Sequence, residues 1–229
     1  NLLPAEMPDI SGLKIAAVSI PARHVGGDFY DVLPLRDGKW GVCIGDVSGK
    51  GVPAALFMAK AISEFRREAD SSAPSAVVGR LNTKIVSEGS ASGLFLTLLY
   101  LVIDPISKKF NFSNGGHEPI FFYQRKNNSV QLLSTRHGVP IGITLDGTFD
   151  EREEVASSGD IILLQSDGVK EAMNAKREIF GMDRLKSVLL ESASLDPHAL
   201  IDHLLEKVRE FVKDAPQHDD LTVVCIKCL

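Results

Sequence analysis

Cysteine is scarce: 229 residues contain only Cys43, Cys225 and Cys228. An odd, small number cannot make the disulfide framework of a small secreted domain, so a reducing cytoplasm is the expected home. Long apolar runs are missing as well. The longest, such as residues 159–165, are strand-sized and far short of the ~20 residues that cross a bilayer, so direct membrane insertion is not expected. Basic charge is also in short supply, with 25 Lys and Arg against 30 Asp and Glu and a net charge of -5. Sequence-independent nucleic-acid binding needs a basic footprint, and none is present. Repeats and low-complexity tracts are absent too. What remains is 44% hydrophobic and 24% charged, a balance suited to a globular chain that buries a core without staples. The sequence opens at Asn1 with neither Met nor a signal peptide, so it reads as a piece of something longer.

Local patterns give the elements. Residues 13–20, 27–35 and 39–46 read as strands, the last two joined by Arg36-Asp37-Gly38, a strong hairpin signal. From Val52 to Glu68 the apolar spacing becomes helical, with Pro53 tolerated in the first turn. Ala55, Leu56, Ala59, Ile62 and Phe65 form its expected core face. A second helix is expected over 75–88. Strands follow at 94–103, 109–113, 119–124, 129–133 and 159–165, then helices at 182–191 and 197–214, then a last strand at 221–227. Mostly sequential strands with hairpin links and paired helices predict an α+β fold: two antiparallel sheets packed together with helices outside, not a parallel doubly wound sheet.

Four acidic positions share one context. Asp28 lies in Gly26-Gly27-Asp28, Asp46 in Gly45-Asp46-Val47-Ser48-Gly49, Asp167 in Ser166-Asp167-Gly168, and Asp219 beside Asp220. Each lies at or near a strand end, and most have a glycine beside them. An Asp-Gly pair taken singly is a turn former. Four carboxylates in this setting repel one another unless a cation neutralises them, and hard oxygen donors suit Mg²⁺ or Mn²⁺ rather than zinc.

These segments, in order, resemble the PPM-type metal-dependent serine/threonine protein phosphatases, in particular their SpoIIE/RsbU-like branch. The resemblance rests on Leu2-Leu3-Pro4, the stretch Val25 to Asp31, GDVSGKGVPAAL from Gly45, NGGHEP from Asn114, GVPIG from Gly138, IILLQSDGVKEA from Ile161, Phe180-Gly181 and HDDLTVV from His218. It implies a β-sandwich of two antiparallel sheets between helical layers (α-β-β-α), filling residues 11–229, with 1–10 the end of an N-terminal linker. It implies two divalent cations, Mn²⁺ or Mg²⁺. Asp46 would bridge both and the Val47 carbonyl would be a further ligand. Asp167 and Asp219 would hold one, and Asp28 would act on the other. Arg23, five residues before Asp28, matches a phosphate-binding arginine of many relatives. Where the wider family often carries a histidine proposed as general acid, this chain has Ser48.

The activity implied is hydrolysis of phosphoserine or phosphothreonine, on a STAS-type anti-sigma factor antagonist in bacterial partner switching. An upstream sensor or receiver domain, a homodimer contact and tethering of the full-length protein through its missing N-terminal part also follow from the resemblance. The competing reading is a pseudophosphatase that only binds phosphoprotein, which would have little use for clustered carboxylates. Cys225 and Cys228, three apart in a strand, point to opposite faces and make a poor metal clip. His117, after a Gly-Gly turn, reads as structural.

Overall fold

Runs in which nearly every side chain is apolar or β-branched, such as Leu96–Ile103 (LTLLYLVI), become strands buried on both faces. Runs with helical spacing become the covering helices. The computed structural model describes residues 2–70, 73–88 and 93–229; Asn1, part of the expected linker, lies outside them. The described residues form two units.

The first unit comprises His24–His117 and Ser134–Val155 with the N-terminal residues through Glu6. Its antiparallel sheet runs in the order β2 (Phe29–Pro34), β3 (Trp40–Val47), β4 (Leu96–Ile103), β5 (Lys109–Gly115) and β8 (Arg152–Val155). β2 and β3 are joined by the expected turn over Arg36–Gly38, where Asp37 and Gly38 both take positive φ. Helices α1 (Val52–Glu68) and α2 (Pro74–Ser87) share a core with one face of this sheet, including Phe29, Cys43, Leu98 and Tyr100. Phe65 stands edge-on to Tyr100, ring centroids 5.0 Å apart, and burial of such a ring contributes about 1.5–3 kcal/mol.

The expected core face of α1 is only half right. Ala54, Phe57, Ala61, Ile62 and Phe65 are buried, whereas Leu56 is 69% exposed. The true stripe follows 54, 57, 61 and 65, a phase the many apolar residues of the first turns obscure. At its far end, Arg66 donates to Asp31 Oδ2 at 2.6 Å and to the Leu2 carbonyl at 2.9 Å. Asp31 is 2% exposed, so this pair is mostly buried on its acid side. Tyr30 Oη donates to the Pro4 carbonyl, which fixes residues 2–4 on the same unit.

The second unit comprises Met7–Arg23, Glu118–Leu133 and Ala156–Leu229. Its antiparallel sheet runs β1 (Leu13–Ile20), β10 (Leu221–Cys228), β9 (Ile161–Gln165), β6 (Ile120–Gln124) and β7 (Ser129–Leu133). The first and last strands of the chain are therefore neighbours, which the expectation of sequential hairpin links does not cover. Helices α3 (Asp167–Glu171), α4 (Gly181–Ser192) and α5 (Pro197–Val212) share a core with this sheet through Leu185, Leu189, Leu200, Leu204 and Val208. Asp196 caps α5 by accepting from the His198 and Ala199 amides, with Pro197 in the first turn; such a cap contributes ~1 kcal/mol. Two elements escaped the sequence reading, β8 and α3.

Candidate metal and phosphate site

In the first unit β3 ends on Asp46 and Val47, opposite Thr97 and Leu96 of β4. Thr97 Oγ1 lies 2.8 Å from His117 Nδ1. The Asn114 side chain accepts from the His117 amide and donates to its carbonyl. His117 therefore closes the Asn114-Gly-Gly turn as a structural residue. The loop before β2 lies against the end of β3: the Val47 amide donates to the Gly27 carbonyl at 3.4 Å. A Cβ on Gly27 would stand 2.9 Å from the Val47 oxygen and 3.4 Å from Asp46 Oδ1, so only glycine permits this approach. Asp28 follows at once and is 4% exposed. The fold thus gathers Asp46, the Val47 carbonyl and the Gly27–Asp28 backbone at one strand end. Beyond it, the Ser48 amide donates to the Phe95 carbonyl and Ser48 Oγ accepts from the Phe95 amide. Gly49 and Gly51 then take positive φ before α1 begins without a side-chain cap.

In the second unit β9 ends at Gln165, Ser166 stands at the N-cap position of the next helix without a side-chain cap bond, and Asp167 is the first residue of α3. Ser166 Oγ donates to the Asp220 carbonyl and accepts from the Thr222 amide, joining this corner to the start of β10. A Cβ on Gly168 would overlap the Asp220 carbonyl oxygen and stand 3.3 Å from Asp219 Cβ. Glycine is what lets the residues after Asp167 press against Asp219. The neighbouring Asp220 is buried and accepts from the Ala22 amide at 2.8 Å, which orients the segment carrying exposed Arg23. Arg23 has no ion-pair partner among the described residues.

Asp167 is half-buried, and its carboxyl is pushed up first by burial and then by the nearby charges of Glu171, Asp219 and Glu118. Lys170 offsets part of this. It pairs with Glu118 at 3.0 Å and with Glu171 at 3.4 Å. Among the described residues, no three His, Cys, Asp or Glu side chains form a group that holds a metal unaided. Each unit offers oxygen donors alone: carboxylates and the Val47 carbonyl in the first, carboxylates in the second. That set fits Mg²⁺ or Mn²⁺, which use few carboxylates and keep water in their shell. The crowding of Asp167 by like charges is the repulsion that a cation relieves. All three cysteines are free and buried.

A family model described as Stage II sporulation protein E (SpoIIE) matches residues 36–229. Phosphoserine phosphatase RsbU of Bacillus subtilis (strain 168) is 28% identical over 232 residues, which cover 99% of this chain and 67% of that protein. The RsbU and RsbW domains of a Mycobacterium tuberculosis protein superpose with a TM-score of 0.81 at 24% identity, over 96% of this chain and 61% of that one. The SiaA-PP2C domain of Pseudomonas aeruginosa gives a TM-score of 0.82 at 22% identity, over 93% of this chain and 85% of that one. The solved structures establish the expected α+β fold, two antiparallel sheets with helices of PP2C type.

Proposed function

The chain belongs to the SpoIIE family, and we propose that it is a divalent-metal-dependent protein phosphatase acting on phosphoserine or phosphothreonine. The observation that carries this reading is that both acidic strand ends are built around glycines with no room for a Cβ, Gly27 beside Asp46 and Val47 and Gly168 beside Asp219. Lone turn-forming aspartates need no such packing. Asp28, Asp46 and the Val47 carbonyl in the first unit, and Asp167 and Asp219 in the second, are the groups that would hold Mn²⁺ or Mg²⁺. A bound cation pair supplies an activated water and neutralises phosphoryl oxygens.

The chain's own residues do the rest. Arg23 offers a planar fork that grips phosphate oxygens in two places. Ser48, at the position of the wider family's histidine, accepts from the Phe95 amide through Oγ and keeps its own O–H. Burial pushes the Cys225 thiol up to about 12 and the Cys43 thiol well above the ordinary range, so neither forms the reactive thiolate at working pH.

The substrate class proposed is a phosphorylated STAS-type anti-sigma factor antagonist, as the resemblance of the sequence implies; RsbU itself is described as a phosphoserine phosphatase. The domain proposed spans residues 11–229, with 1–10 the end of a linker from an upstream sensor or receiver domain. No helix among the described residues is long and apolar enough to cross a membrane. The test is phosphate release from a phosphoserine protein with Mn²⁺, with Mg²⁺ and with excess chelator. Metal-dependent release supports the reading. Phosphoprotein binding without release under every metal condition would favour the pseudophosphatase instead.

A further inference from the structure

A cavity of about 280 Å³ opens in the second unit, against the C-terminal half of α5, the end of β1 and the loop that leads into β10. Its apolar lining includes Ile20, Met173, Leu205, Val208, Val212 and Leu221. One end reaches Gly168 and Asp219, so the cleft begins where the proposed metal ligands are. Its wall is fixed: Gln217 Nε2 donates to the Ile20 carbonyl at 2.9 Å and to the Asp219 carbonyl at 2.7 Å. Lys213, in a left-handed conformation, closes α5 by donating its amide to the Arg209 carbonyl. The rim carries Arg209, Lys213 and Glu171. Glu171 shares Lys170 with Glu118, whereas neither Arg209 nor Lys213 has an ion-pair partner among the described residues. An apolar cleft with two cations that make no ion pair among the described residues thus adjoins the proposed site for a phosphorylated residue.

We propose that this cleft docks the phosphoprotein substrate itself. It seats one large apolar side chain close in sequence to the phosphorylated residue, and an acidic neighbour of that side chain meets Arg209 and Lys213. The apolar lining supplies affinity by burial, and the cationic rim selects register and charge. The inference rests on the phosphatase reading and deepens it from the reaction to the choice of substrate.

The experiment measures binding by fluorescence anisotropy in excess chelator, so that nothing turns over. The probes are labelled phosphoserine peptides with Phe-Glu placed on either side of the phosphoserine, and matched peptides with Ala-Ala or Phe-Lys. The wild type is expected to bind a Phe-Glu peptide about tenfold more tightly than its Ala-Ala counterpart. Ala215→Trp, which fills the cleft from its loop, should erase the preference while the Ala-Ala peptide binds as before. In the double variant Arg209→Glu/Lys213→Glu the preference should pass from Phe-Glu to Phe-Lys, a reversal that an unfolded protein cannot give. Equal binding of all peptides by the wild type, or an unchanged preference in both variants, would overturn the docking site. Failure of the phosphatase reading looks different: selective binding as described, with no metal-dependent hydrolysis of the same peptides by the wild type.

Discussion

The two acidic strand ends are held in place by different means. In the second unit the corner is tied by side chains: Ser166 Oγ to residues 220 and 222, the buried Asp220 to the Ala22 amide, and Gln217 to the Ile20 and Asp219 carbonyls. In the first unit Asp46 and Val47 stand at the end of the β3–β4 ladder, with a backbone bond of 3.4 Å from Val47 to Gly27, followed by Ser48 on Phe95 and a loop with two positive-φ glycines. Polar networks with every member satisfied are rigid. A glycine loop that leads into an uncapped helix has more than one path open to it. The second corner is held through side chains, whereas the first is held through the β3–β4 ladder and leads into α1 by a loop of positive-φ glycines. The contrast predicts that a displacement of α1 acts on the first edge rather than the second.

The largest expected effect tests the edges as equals. Asp46→Asn and Asp167→Asn should each lower kcat/KM for a phosphoserine substrate by at least about 100-fold, more than the loss typical of a residue behind the ligands. Steady-state assays at saturating Mn²⁺ check this. Near-normal turnover by Asp46→Asn with loss in Asp31→Asn would show the wrong aspartates were chosen, since Asp31 is engaged by Arg66.

Next comes the contrast in rigidity. Gly168→Ala forces a methyl into the Asp220 carbonyl and should cost about 3 kcal/mol or more. Gly51→Ala meets open space but a positive φ with ψ near -154°, a region open almost only to glycine, and should cost about 1–3 kcal/mol. Denaturant melts of both variants decide whether the second corner is the stiffer one.

Phe65→Leu sharpens the idea that α1 is movable. Losing the ring from a buried site against Tyr100 should cost about 1–3 kcal/mol, yet raise or lower the Mn²⁺ concentration needed for half-maximal activity severalfold. A metal titration beside a thermal melt separates the two effects. An unchanged metal requirement with a lowered Tm would make α1 core and nothing more.

The smallest effect is expected from Cys43, Cys225 and Cys228 replaced together by Ala. Stability should fall from lost packing, while kcat and metal dependence stay as they are. Activity assays normalised to folded protein check it.

How much of this was legible in the sequence depended on how local the signal was. β1 at Leu13–Ile20, β7 at Ser129–Leu133 and α1 at Val52–Glu68 match the pattern reading residue for residue, because their periodicity is their own. β8 is only Arg-Glu-Glu-Val, an edge strand whose outward charges carry no apolar alternation. α3 is a single turn of helix starting on Asp167-Gly168, which reads as a plain turn. The pairing of β1 with β10 joins residues some 200 apart, which no window detects. The candidate aspartates were visible as a repeated context, but their separate roles were not. Asp219 and Asp220 are adjacent letters, and only burial and the bond to Ala22 mark Asp220 as the structural one.

The central claim, that carboxylates on both edges serve divalent-metal-dependent phosphate hydrolysis, is tested most directly by one titration. The chain is stripped with chelator, Mn²⁺ is added back stepwise, and phosphate release from a phosphoserine protein is followed for the wild type and Asp46→Asn. The account predicts no release in chelator, saturable recovery in the wild type and none in Asp46→Asn at the same metal concentrations. Full activity in excess chelator, or equal recovery in the two proteins, would contradict it.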